Sequence, residues 1–179
     1  MNSNVKKITE TAVLLALLIV LQAVTKPLGQ LVTGSCVNTV LAVSALVGGL
    51  WSAVVIALVS PLLAFLLGIA PNAVVVPAIM AGNALYVVLL CVLVKGTAPN
   101  RVFGMAVSAF AKFALLYVVV TKLICGLMSQ SLLSSGALKQ PMLKALPATF
   151  GIAQLLTALI GGGVALLIVP TLRKALKKD

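Results

Sequence analysis

From about residue 31 to residue 70 the chain runs some forty residues without a charged side chain. An α-helix needs roughly 20 apolar residues to cross the hydrocarbon part of a bilayer. One span cannot hold such a run, whereas two helices joined by a turn can. Gly48-Gly49 is the best break, because glycine punctuates helical patterns. This predicts a short helix ending near residue 47 and a second over about 51–68. Pro61 should kink the second helix by removing a backbone bond inside it.

The rest of the chain repeats that character. Only 8% of the 179 residues are charged and 62% are hydrophobic, with mean hydropathy +1.25. A soluble domain carries about a quarter charged residues, so the apolar excess here must face lipid. The expected architecture is an all-α membrane protein, a single domain over 1–179 with six transmembrane helices. The first apolar run, 11–24, ends at Lys26-Pro27, since proline disfavours helical geometry in the residue before it. TKPLGQLVTGS then reads as a loop, with Gly29, Gly34 and Ser35 as breakers. Ala70-Pro71-Asn72 reads as a turn, followed by a fourth span over 74–94 with Pro77 in its first turn. The segment 95–101 is the clearest loop, and a fifth span covers 102–125. Residues 129–144 form the longest polar stretch, read as a loop with a short surface helix. Pro147 is expected to open a sixth span that ends near Pro170. Periodicity does not separate the short second helix from a re-entrant segment, so five spans with one half-helix is the alternative.

The net charge of +11 raises the question of nucleic acid, which a basic face or arm would bind. Here the cations sit at span ends instead, where they set orientation and meet anionic lipid. Lys6, Lys7, Lys95, Arg101, Arg173, Lys174, Lys177 and Lys178 fall on one side; Lys26, Lys122, Lys139 and Lys144 fall on the other. The richer side is cytoplasmic by the positive-inside rule, which places both termini inside the cell membrane. Lys6-Lys7 before an apolar run also resembles the start of a signal peptide, but no A-x-A site ends the run, so cleavage is not expected.

The polar inventory excludes several chemistries. There is no histidine, Glu10 and Asp179 are the only acids, and Cys36, Cys91 and Cys125 form no close pair. No zinc set or proton-handling carboxylate pair can be assembled, and no phosphate-binding G-x-x-x-x-G-K-[ST] loop is present. Neither catalysis, a metal nor a cofactor is expected, and the cysteines read as small apolar filler.

One cation belongs to neither side. Lys112 lies in the middle of the fifth span, about 15 Å from each end at 1.5 Å per residue. A cation at that depth costs at least about 2.5–3.5 kcal/mol, and no acid lies at the same level to neutralise it. It should face a polar cavity, where an anionic ligand group would answer the imbalance; snorkelling to an interface, or a neutral, buried lysine, is the alternative. Asn83 lies mid-span in the fourth helix with Tyr86 on its face, Gln154 lies in the sixth with Thr157 on its face, and Ser108 is one turn from Lys112. Together they point to a shared pocket, against which stands plain helix-to-helix hydrogen bonding. Small residues four apart, Ala12/Ala16, Ala53/Ala57 and Ala64/Gly68, mark faces that another helix could approach closely, and Gly161-Gly162-Gly163 makes a flat patch or kink.

This order of features resembles the substrate-binding S components of energy-coupling factor (ECF) vitamin transporters. The likeness covers nearly the whole chain: a basic N-terminal segment before Ala12-x-x-x-Ala16, a Gly- and Pro-bearing loop after span one, and LVGGLWSAVVIALVSPLLAFLLG as a tight helix-two/helix-three hairpin. The resemblance implies capture of a vitamin or related nutrient from outside, in a pocket lined by the loop after span one and helices four to six. It also implies docking of Ala12 and Ala16 on a membrane coupling subunit that carries two ATPases, and toppling of the subunit within the bilayer. Asn83, Lys112 and Gln154 match helices four, five and six by position, although the family has no fixed ligand residues. Few aromatic residues are available to sandwich a flat heteroaromatic ring, which favours a small flexible acid, with pantothenate the leading choice. The competing functions are a small membrane scaffold or assembly protein and a self-sufficient transporter.

Overall fold

The computed structural model describes residues 3–70 and 72–176; Pro71 of the expected turn and the terminal Lys177, Lys178 and Asp179 lie outside them. Every element among the described residues is helical. Helix α1 (Ser3–Thr25) is stopped by Pro27. The connection is only a 3-10 turn over Lys26–Leu28 and Gly29, after which α2 (Gln30–Val43) begins. The expected loop therefore shrinks to four residues, and Gly34 and Ser35 are helical rather than breakers. Gly34 is used for contact instead: a Cβ there would lie 2.8 Å from Thr157 Cγ2.

Wider π-type turns over Ser44–Gly48 lead into α3 (Gly49–Leu66). Gly49 has φ +83°, a backbone state that side-chain-bearing residues rarely adopt, so the helix axis breaks there. As one straight rod, the 37 residues Gln30–Leu66 would reach about 55 Å, far beyond a bilayer's hydrocarbon core of about 30 Å. Instead Gly34 and Ala64 line one cavity, so the chain doubles back at the glycine pair. Pro61 is accommodated inside α3 without ending it.

Asn72 caps the next turn, its Oδ1 accepting from the Val74 amide at 2.8 Å. A 3-10 turn then feeds α4 (Val76–Leu93). Helix α5 (Ala98–Leu116) starts within the segment read as a loop, with Pro99 in its first turn, and continues as π turns over Tyr117–Leu127. The polar stretch contains a short α6 (Ser129–Ser134) and the start of α7 (Gln140–Phe150). Pro147 lies inside α7 and does not open the last span. Gly151 separates α7 from α8 (Ile152–Ala175), which runs through Pro170 instead of ending there.

Five helical stretches are long and apolar enough to cross a membrane: Asn4–Leu28, Gln30–Leu66, Ala73–Leu93, Ala98–Leu127 and Ile152–Ala175. Many of their large apolar side chains stay uncovered, among them Val24, Phe103 and Leu167. In water such a surface would drive aggregation, and in a bilayer it is the solvent-facing side. The chain is an all-α membrane protein. Its main core, around Leu18, Leu41, Ile56, Tyr86, Leu90 and Ala158, joins α1–α5 and α8. A second cluster around Val75, Leu116, Val120, Leu146 and Phe150 packs α7 against the π turns and the start of α4.

Candidate functional site

A cavity of about 270 Å³ opens between α1, the hairpin, α4, α5, α7 and the start of α8. Lys112 reaches its wall and is itself buried, at 2% exposure. Its Nζ donates to Asn38 Oδ1 at 2.5 Å and to Asn83 Oδ1 at 2.7 Å. The same ammonium lies 5.3 Å from the centre of the Tyr86 ring, within cation–π range. All of these partners are neutral. They solvate the charge without cancelling it, and among the described residues no acidic side chain lines the cavity.

The helices place these groups through close contacts. Gly161 of α8 meets α2 so tightly that a Cβ would lie 2.7 Å from Asn38 Cβ, Ser35 O and Thr39 N. This lets Asn38 Nδ2 donate to Thr157 Oγ1 at 3.2 Å, which turns the Asn38 carbonyl toward the lysine. Thr157 in turn donates to Gln154 O at 3.2 Å. Tyr86 donates to Ala158 O at 3.0 Å, tying α4 to α8 beneath the ammonium. Gly162 leaves room for that hydroxyl, since a Cβ there would come within 2.9 Å of it.

Of the residues singled out from the sequence, Asn83, Lys112 and Gln154 reach the cavity wall. Tyr86 and Thr157 stand behind it and position those that do. Ser108 is not on the wall; its hydroxyl donates to Gly104 O one turn back in its own helix, at 2.7 Å. Asn38 was not singled out, although it is the lysine's nearer partner. The signal the sequence offers is a lone amide within the uncharged apolar run 31–70, where it must find a partner. Lys26 also lines the cavity and donates to Gly68 O at 2.8 Å, linking the turn after α1 to the end of α3. The wall holds two cations, several amide and hydroxyl groups, and one aromatic ring, Phe150. Such a lining suits an anionic, hydroxyl- or amide-bearing molecule, and it offers no nucleophile–base pair.

Ala12 and Ala16 lie on the exposed side of α1. The other small pairs behave differently: Ala53 and Ala57 are buried inside the bundle, and of Ala64 and Gly68 only Ala64 is buried.

A family model described as "ECF transporter, substrate-specific component" matches residues 6–173. Comparison with curated proteins and with solved structures gave no match. With nearly the whole chain covered and its helices this apolar, the protein is a multi-pass component of the bacterial plasma membrane and belongs to the substrate-specific subunits of ECF transporters, a family of transport components rather than of enzymes.

Proposed function

We propose that the nutrient is a small, flexible carboxylic acid of the pantothenate type, held in the cavity by Lys112. The observation that carries this reading is a buried ammonium on a cavity wall whose protein partners, Asn38 and Asn83, are both uncharged. Two amide oxygens occupy two of its three N–H donors, which leaves one donor for a visiting carboxylate, whose charge would favour the ammonium form. Gln154 is buried beside the cavity, and among the described residues nothing hydrogen-bonds its side-chain amide. It is therefore free to meet a ligand hydroxyl or amide. The volume, about 270 Å³, sits at the lower end of ligand pockets, which run from about 300 Å³ upward. With Phe150 as the single aromatic on the wall, a flat ring would lack a stacking partner on its second face.

In this reading the chain crosses the membrane six times, with α2 and α3 as separate crossings and both termini cytoplasmic. The cavity then opens outward, and Lys26 lies at its mouth. Ala12 and Ala16 form the docking stripe for a membrane coupling subunit bound to two ATPases, which supply the energy this chain has no motif to capture. Native mass spectrometry of the purified protein tests the reading. A retained small acid in the wild type, absent from Lys112→Met, is the expected result. A retained uncharged or flat aromatic molecule would overturn it.

A further inference from the structure

A second hollow lies away from the nutrient cavity, at the end of the bundle that carries the α4–α5 connection and the last turns of α8. It is a cleft of about 230 Å³, and its wall combines two kinds of surface. Lys95, Arg101 and Arg173 bring three cations to it, while Leu46, Val169 and Pro170 give it an apolar lining. Among the described residues no acidic side chain lines it.

The two guanidinium groups are anchored. Arg173 Nη2 donates to Leu46 O at 2.7 Å, across from α8 to the turn of the α2–α3 hairpin. Arg101 Nε donates to Gly96 O at 2.9 Å within the α4–α5 connection. Each bond uses one of five N–H donors and tethers the fork, leaving four donors for a ligand. The positive-inside rule accounts for cations at one end of a bundle. It does not account for two pinned guanidiniums and a lysine gathered around a hollow, where mutual repulsion favours an anion among them. Planar guanidinium forks match phosphate oxygens in pairs.

We infer that this cleft binds a phosphate group, and that the apolar residues beside the cations assign it to phosphate carried on an anionic phospholipid. A headgroup held by Lys95, Arg101 and Arg173 would set its glycerol and upper acyl carbons against Leu46, Val169 and Pro170. A free phosphate ion gains nothing from those three side chains. The lipid would join the α4–α5 connection to α8 and the hairpin turn, which the Arg173–Leu46 bond already ties to each other. This inference does not depend on which nutrient fills the other cavity.

The test is titration of the purified protein in neutral detergent at low salt with phosphatidylglycerol or phosphatidylcholine, with bound lipid counted by native mass spectrometry. Phosphatidylglycerol should bind at least about tenfold more tightly than phosphatidylcholine. Lys95 and Arg101 are both exposed, so Lys95→Gln/Arg101→Gln should keep the fold and bind the anionic lipid about thirty-fold more weakly, the loss expected for two cations at a membrane surface. Lys139→Gln/Lys144→Gln removes the same charge elsewhere and should leave lipid binding within about twofold. Equal losses in both double variants would reduce the effect to net charge and overturn the site, as would no loss in the first. A separate arm adds millimolar inorganic phosphate. Failure to displace the lipid is expected, whereas displacement would keep a phosphate site but overturn its assignment to lipid.

Discussion

Helices α1 and α8 are both long and apolar, yet the bundle treats them in opposite ways. Within its most apolar window, 39% of α8 is buried but only 11% of α1. Both carry small residues in a row. On α8 these residues are consumed inside the protein, Gly161 against α2 and Gly162 against Tyr86. On α1 the pair Ala12 and Ala16 stays exposed. A small-residue stripe thus has two meanings. It lets a helix of the same chain come close enough to set a polar site, or, as proposed for α1, it is left for a helix of another protein. Sequence spacing alone does not tell these apart, because both patterns look the same until the packing is known.

Substitutions can break this contrast. The largest effect on stability is expected for Gly161→Ala. The new methyl would meet the α2 backbone, which cannot rotate away, so about 3 kcal/mol of stability should be lost. Thermal unfolding in detergent reads this as a drop of several degrees, with weaker ligand retention because Asn38 is displaced. Unchanged melting would show that α2 and α8 are not held at this distance. Asn38→Ala should follow, at about 2 kcal/mol, because Lys112 and Thr157 each lose a buried partner. Its signature is a combined fall in melting temperature and in nutrient affinity; a loss of one without the other would separate the hydrogen-bond network from the binding site. Gly163→Ala supplies the matched control two residues along the same helix. Nothing lies within 4 Å of a Cβ there, so helix propensity should dominate and stability should rise by about 0.5–1 kcal/mol. The smallest effect on the isolated protein belongs to Ala16→Trp, within about 0.5 kcal/mol because the site is exposed. The same variant should lose pull-down of a coupling subunit by steric clash, and normal association would remove the α1 stripe from docking.

The legible parts of the cavity wall are those where chemistry conflicts with depth. Lys112, Asn83 and Gln154 stand out because a charge or amide in the middle of an apolar span must find partners, and all three meet at one cavity. Asn38 is harder to read, because Gly34 and Ser35 have the local preference of loop residues and obscure where the second helix begins. In the fold these small residues let α8 approach, a tertiary reason that overrides their local preference. Ser108 behaves differently: its hydroxyl, one turn from the lysine, is satisfied on the carbonyl four residues back in its own helix. The boundary at Pro147 went wrong for a similar reason: proline suits a helix start, but it is equally accommodated inside α7, and Gly151 makes the actual break.

The account rests on the charge of Lys112 being answered by a ligand. Calorimetric titration with pantothenate and with its uncharged alcohol analogue, on wild type and on Lys112→Met, tests that most directly. The wild type should prefer the acid by roughly a hundredfold or more, the scale for truncating a buried charge pair, and the variant should lose that preference. An equal preference for the acid in both proteins, or wild-type binding of the alcohol as tight as the acid, would contradict it.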